Sequence, residues 1–239
     1  MDSEIRVSVT PPEDNGTVGA LRATIAKQNL EIDHLRQLLI EANERAAQLA
    51  HLASTDVLTG LPNRRSAELE GERVLAKVRR GENMAMIYLD IDEFKKVNDL
   101  SPRAHADGDD VLIAVAEKMN HTFREVDAKA RLGGEEFVVF LDLGKEPMTE
   151  EELTLLVEPM LERFKKILAE IKRPDNGLPL TASVGAVILP GFSDLAGVDY
   201  HLVESMADGL MYEAKMGGKN SFRMKTFVPL KERVVKVKV

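Results

Sequence analysis

The chain has 239 residues, 44% of them hydrophobic, and a formal net charge of -8. That length can bury a core of its own with room for an appendage, while the acidic balance and the lack of any long Lys or Arg run argue against a nonspecific grip on nucleic acid. The absence of cysteine excludes disulfides, thiolate metal sites and a cysteine nucleophile. No uncharged stretch approaches the roughly 20 residues that cross a bilayer, so the expectation is a cytoplasmic protein without a membrane anchor.

Residues 1–17, with "PPEDNG", are polar and turn-rich and read as a flexible segment. From Val18 the pattern changes. Val18, Ile25, Ile32, Leu39, Ala46 and Ala53 recur every seven residues, and Leu21, Gln28, Leu35, Ala42 and Leu49 follow the first five by three. Such an a/d seam over residues 18–53 predicts a coiled coil, read as a parallel homodimer in preference to one amphipathic helix packed on its own domain.

Gly60 and Pro62 in "LASTDVLTGLPNRR" end the heptads, and a mixed pattern follows over residues 54–226. "MAMIYLDI" has the length and apolarity of a buried strand, and "DDVLIAVAEKMNHTFREV" carries apolar residues at helical spacing. "EEFVVFLDL" reads as a strand, "EEELTLLVEPMLERFKKILAEI" as a helix, "LPLTASVGAVIL" as a strand and "VESMADGLMYEAKMGG" as a helix stopped by glycines. Alternation of this kind predicts one α/β or α+β layered domain. The tail 227–239, with "RVVKVKV", alternates like an edge strand or a loose terminus.

Two acidic clusters stand out. In "RLGGEEF", Gly133 and Gly134 between extended segments predict a two-residue hairpin loop, since such turns need the positive φ that glycine adopts cheaply. Alone, that stretch is a turn with two solvated glutamates, Glu135 and Glu136. In "YLDIDEF", however, Asp90 and Asp92 lie two apart at the end of an otherwise apolar strand, where carboxylates are costly to desolvate unless a cation or hydrogen-bond donors compensate them. Carboxylates from two strands, with no His or Cys nearby, form a hard-oxygen set suited to Mg²⁺ and the phosphates it accompanies.

"DVLTGLPNRR", "YLDIDEFKKVND", "AHADGDDVL", "RLGGEEF", "ASVGA" and "ADGLMYEAKMGGKN" resemble, in order and spacing, the motifs of the diguanylate cyclase catalytic domain, the GGDEF family. The resemblance implies an α+β, ferredoxin-like nucleotide-cyclase palm, a central antiparallel sheet with packed helices, preceded by a long dimeric coiled-coil helix. It implies condensation of two GTP into cyclic di-GMP with release of two pyrophosphates, across a dimer of such domains. Asp90 and Glu135 then resemble the family's metal-binding carboxylates for Mg²⁺ or Mn²⁺, with the Ile91 carbonyl as a further ligand and Glu136 as a supporting catalytic acid. Leu58 and Phe94 border the nucleotide, Gly133 and Gly134 let it approach the backbone, Asn98 and Asp109 read guanine, and Lys215 and Lys219 hold phosphates.

Arg124 and Asp127 in "REVD" resemble the family's inhibitory product site, the plain alternative being an i,i+3 ion pair. The chain departs from the family in the "LSPR" link before Ala104, where glycine is usual, and in Lys219 for arginine. The competing reading of the whole is a catalytically silent domain that serves as a cyclic di-GMP receptor or nucleotide-sensing scaffold. In either case residues 1–53 are where an upstream regulator would act.

Overall fold

The computed structural model of the chain describes residues 15–191, 195 and 197–227. Of the expected flexible segment at 1–17 and the tail at 227–239, residues 1–14 and 228–239 lie outside the described residues, while residues 15–17 are helical. The chain divides into two compact units, Met1–His51 and Leu52–Val239.

The first unit is carried by helix α1 (Asn15–Ser54). Val18, Leu21, Ile25, Ile32, Leu35 and Leu39 are all roughly half exposed, so the helix leaves its apolar seam in solvent. Half-exposed Leu and Ile every three and four residues fit a coiled coil. Within the helix the polar contacts are short-range, such as Arg36 with Asp33 at 3.3 Å. The side chains of Ala46 and Leu49 lie outside the described residues.

The second unit runs α2 (Arg64–Arg79), β1 (Asn83–Ile91), α3 (Phe94–Leu100), α4 (His105–Thr122), β2 (Ala128–Gly133), β3 (Glu136–Gly144), α5 (Glu150–Leu168), β4 (Ala182–Leu189), α6 (Tyr200–Met216) and β5 (Phe222–Thr226). The five strands form one sheet in the order β2-β3-β1-β4-β5. β4 and β5 pair in parallel, so the sheet is mixed rather than wholly antiparallel. The reason is the connection: α6 crosses over between β4 and β5 instead of a hairpin, which returns the chain in the same direction.

β1 is central and buried along all nine residues, and its alternation divides the core. Ala85, Ile87, Leu89 and Ile91 pack with α4 and α5 residues such as Val115, Met119 and Phe164. Met84, Met86 and Tyr88 point to the opposite face, among Leu75 and Val78 of α2 and Tyr200, Ala207 and Met211 of α6. Asp90, next in the even series, therefore leaves the strand on the α2/α6 side. Gly185 sets how near α6 can lie, because a Cβ there would sit 1.9 Å from the Ala207 carbonyl oxygen and 2.4 Å from the Met211 nitrogen.

Three helices begin on side-chain caps. Asn63 caps α2 by accepting from Ser66 N–H, Asp199 caps α6 by accepting from Leu202 N–H, and Thr149 with Glu152 forms a reciprocal capping box on α5. No helix among the described residues is long and apolar enough to cross a membrane.

Candidate active site

Asp90 is only 6% exposed, and Lys215, from the last turn of α6, places Nζ 2.7 Å from its Oδ1. Burial, opposed by Lys215 and reinforced by the Glu135 and Glu136 charges, leaves the Asp90 carboxyl raised to about 6. A carboxylate desolvated beside two others gains from an added cation.

The glutamates come from the hairpin opposite. Asp90 pairs across the sheet with Glu136, and Glu136 in turn with Gly133, so the two loop residues are Gly134 and Glu135. The expected loop, Gly133–Gly134, is thus shifted by one. Gly133 at φ 144° still belongs to β2 after a register irregularity, and Gly134 at φ 51° takes the first turn position, the one that needs glycine. Open space lies where either glycine would carry a Cβ, leaving the backbone accessible. The Glu135 carbonyl accepts from Ile91 N–H at 3.3 Å, which ties the turn to the end of β1.

Arg131 braces the turn, donating to the Gly134 carbonyl at 2.8 and 3.1 Å and to Asp56 at 2.9 Å. Burial works to raise the Asp56 carboxyl, but hydrogen bonds from Thr59 and Arg131 outweigh it and hold the group below its ordinary value. Glu136 meets Arg64 of α2 at 3.4 Å, and Arg64 also donates to the Leu132 carbonyl and to Glu204. The Tyr88 phenol is pushed well up, by burial first and the Glu136 charge second. The roles of Arg64, Tyr88 and Glu204 were not visible in the sequence, because Arg64 meets Glu136 across 72 residues and Glu204 across 140, and Tyr88 reaches Glu136 from a different strand.

Asp92 is structural. Only 1% exposed, it accepts from Thr181 at 2.8 Å, Ser183 at 2.7 Å and Asn220 N–H at 2.9 Å, clasping β4 and the segment after α6. Lys219 is drawn to Glu93 at 3.1 Å.

Phe94 is buried and Leu58 half-buried against the same core. Asn98 lies over Gly108, where a Cβ would come within 2.0 Å of its Oδ1 and 3.2 Å of the Phe94 ring. Asp109 is exposed beside them. The "LSPR" link closes through Arg103, whose guanidinium reaches Asp107 at 2.6 Å and Asp110 at 2.5 Å. Ala104 there holds φ 50° and ψ -120°, a conformation suited to glycine.

Arg124 and Asp127 lie apart from this cluster, at the start of the β2–β3 hairpin. Asp127 is fully buried; it accepts from Arg124 N–H, the Arg124 side chain at 3.0 and 3.2 Å and Asp142 N–H. Its oxygens are engaged within the chain, while the Arg124 side chain is 59% exposed.

Among the described residues no three His, Cys, Asp or Glu side chains form a ready-made metal cage. Asp90 and Glu135, whose charges act on each other, and the backbone carbonyl of Ile91 beside Asp90 are all oxygen donors, the kind a hard divalent cation takes.

A family model, "Diguanylate cyclase, GGDEF domain", matches residues 53–221. The chain is 34% identical over 176 residues to the bifunctional diguanylate cyclase/cyclic di-GMP phosphodiesterase MucR of Pseudomonas aeruginosa, covering 73% of this chain and 24% of that protein. It is 32% identical over 198 residues to the diguanylate cyclase TpbB of the same species, covering 82% and 43%. The chain thus spans less than half the length of these relatives. Among solved structures, the coiled coil and GGDEF domain of DgcB from Caulobacter crescentus, in complex with c-di-GMP, superimposes with a TM-score of 0.63 at 28% identity over 87% of this chain and 100% of that one. A helix with an exposed heptad seam, a mixed five-stranded palm and a glycine hairpin with Glu135 in its turn and Glu136 paired opposite Asp90 thus meet in a chain that belongs to the GGDEF diguanylate cyclase family.

Proposed function

We propose that the protein is an active diguanylate cyclase that condenses two GTP into cyclic di-GMP. The observation that carries this reading is the meeting of Asp90, the Glu135–Glu136 turn and Lys215 at one end of the sheet, with Asp90 desolvated among like charges. Asp90, Glu135 and the Ile91 carbonyl would hold Mg²⁺ or Mn²⁺. When bound, the cation supplies charge stabilisation at the reacting phosphate and the pyrophosphate leaving group.

The chain's own groups do the rest. Lys215, already aimed at the site by its bond to Asp90, turns its remaining donors to the phosphates, and Lys219 joins it from the following turn. Glu136, backed by Arg64 and Tyr88, supports proton removal from the attacking ribose hydroxyl. Phe94 and Leu58 flank the nucleotide, Asn98 and Asp109 offer partners to the guanine edge, and the bare backbone of Gly133 and Gly134 admits the substrate. One chain supplies half of a two-nucleotide reaction. The coil, proposed over residues 18–53, would hold two catalytic domains, proposed over 54–226, at high effective concentration.

A silent, receptor-like domain is supported by one observation, the exposed Arg124 guanidinium held rigidly by buried Asp127. The same pair would serve an active enzyme as its inhibitory product site. Incubation with GTP, ATP or both in Mg²⁺, followed by mass identification of products, separates the readings: cyclic di-GMP is expected from GTP, and binding of cyclic di-GMP without turnover would favour the receptor.

A further inference from the structure

Arg173 sits in the tight turn between α5 and β4, a segment that none of the family motifs covers. The turn is closed by Arg173 N–H donating to the Leu178 carbonyl and Gly177 N–H donating to the Arg173 carbonyl, both at 2.9 Å. Although arginine rarely goes below the surface, this one is only 6% exposed. Its Nε and one terminal nitrogen fork onto Asp175 at 3.0 and 2.7 Å, and its other terminal nitrogen reaches Glu93 Oε2 at 2.9 Å. A buried ion pair is weak evidence for stability, because desolvation offsets the attraction and apolar replacements often do as well. What such a pair provides here is a fixed position.

The fixed group is Glu93. With Oε2 held by Arg173, Oε1 is left facing Lys219 at 3.1 Å and Lys96 at 2.8 Å. Glu93 sits at φ 59° at the N-cap of α3 but makes no capping bond, so its side chain is committed to the cations. Lys219 and Asn220 are themselves at φ 64° and 44°, and Asn220 N–H is bound by Asp92. Three non-glycine residues in the left-handed region, hydrogen-bonded across two segments, are the kind of strain that persists only where surrounding contacts hold it in place.

We propose that Arg173 is a positioning residue for the nucleotide's phosphates: by fixing Glu93, it tethers Lys219 at the rim of the active site, ready to meet a terminal phosphate. This rests on the reading of Lys219 as a phosphate-binding group. The tether replaces much of the ordering that a free lysine side chain would undergo on binding.

The test compares Arg173→Met, Arg173→Lys and Glu93→Gln with the parent full chain. Dissociation constants for GTP, read with its unreactive α,β-methylene analogue, and for GMP are measured by calorimetry in Mg²⁺ alongside kcat and KM for GTP itself. Arg173→Met and Glu93→Gln should weaken GTP binding by about three- to fivefold, the range of an exposed charge pair. GMP binding should be unchanged and kcat should stay within about a factor of two. Arg173→Lys, which keeps one donor for Glu93, should recover most of the loss. If Arg173→Met fails to fold, Glu93→Gln carries the test with the Arg173–Asp175 fork intact. Equal losses for GTP and GMP, unchanged GTP affinity, or tighter GTP binding in Glu93→Gln would overturn the tether. A parent that binds GTP without turning it over removes the cyclase reading but leaves the tether measurable in GTP affinity, whereas a parent that binds no GTP overturns both.

Discussion

Asp90 and Asp92 stand two residues apart and carry different burdens. Asp92 is satisfied by three donors, whereas Asp90 has one lysine and two neighbouring glutamates. Asp90→Asn or Glu135→Gln should abolish turnover while the protein stays folded, since neither leaves a cavity. Mg²⁺ should raise the Tm of the parent but not of Asp90→Asn, because a ligand stabilises only the state that binds it. An equal Mg²⁺ shift in both would remove Asp90 from the metal site. Asp92→Asn should behave in the opposite manner, costing about 1–3 kcal/mol of stability by weakening bonds to buried donors. At Ala104, held at φ 50°, glycine should stabilise by about 1 kcal/mol in a denaturant titration.

At the scale of elements, the site depends on two attachments. Gly185 lets α6 rest on β4 closely enough for Lys215 to reach Asp90. Gly185→Ala would drive a methyl into the α6 backbone and should cost about 1–3 kcal/mol or more by overpacking, with GTP affinity falling as Lys215 recedes. The Asp56–Arg131 pair ties the "DVLTGLPNRR" segment to the glycine turn. Because the folded-state pKa of Asp56 is depressed, its contribution is present above the unfolded value of about 3.8 and is lost as pH falls through the lower folded value. Asp56→Asn should therefore be less stable than the parent at pH 7, and the gap should close below about pH 4; a gap that persists there would assign the loss to packing instead.

The long apolar runs of β1, β3 and β4 and the periodic faces of α4, α5 and α6 were legible in the sequence because burial on both sides of a sheet leaves so strong a pattern. α2 was not, because its buried positions include Ala67 and Gly71 among many charges. β5, "FRMKT", is a short edge strand whose burial alternates only weakly. The motif residues themselves could be picked out, but not what holds them: Arg64, Tyr88, Arg173 and the donors to Asp92 act across gaps that no local pattern records. The one-residue shift of the glycine loop has the same origin, since pairing register is decided by the partner strand.

For the whole molecule, the proposed reaction needs two catalytic domains, and the half-exposed seam of α1 offers the means to join them. Replacing Ile25 and Ile32 together by Asp should yield a monomer with little activity although every active-site residue is intact, because two desolvated like charges would face each other in the seam. Sedimentation beside an activity assay would show it; full activity from a proven monomer would contradict the two-domain account. Arg124→Ala should leave the initial rate nearly unchanged and weaken the slowing as product accumulates, whereas a plain ion pair would leave the progress curve as it was.

In the proposed reaction this chain joins two GTP molecules at a site built on Asp90, Glu135 and Glu136. This is tested most directly by counting cyclic di-GMP and pyrophosphate together, from GTP and Mg²⁺, in the parent and in Glu135→Gln. Two pyrophosphates are expected for each cyclic di-GMP in the parent, and neither product in the variant. A folded, dimeric, GTP-binding parent that forms no cyclic di-GMP, or a Glu135→Gln variant that forms it at the parent's rate, would contradict it.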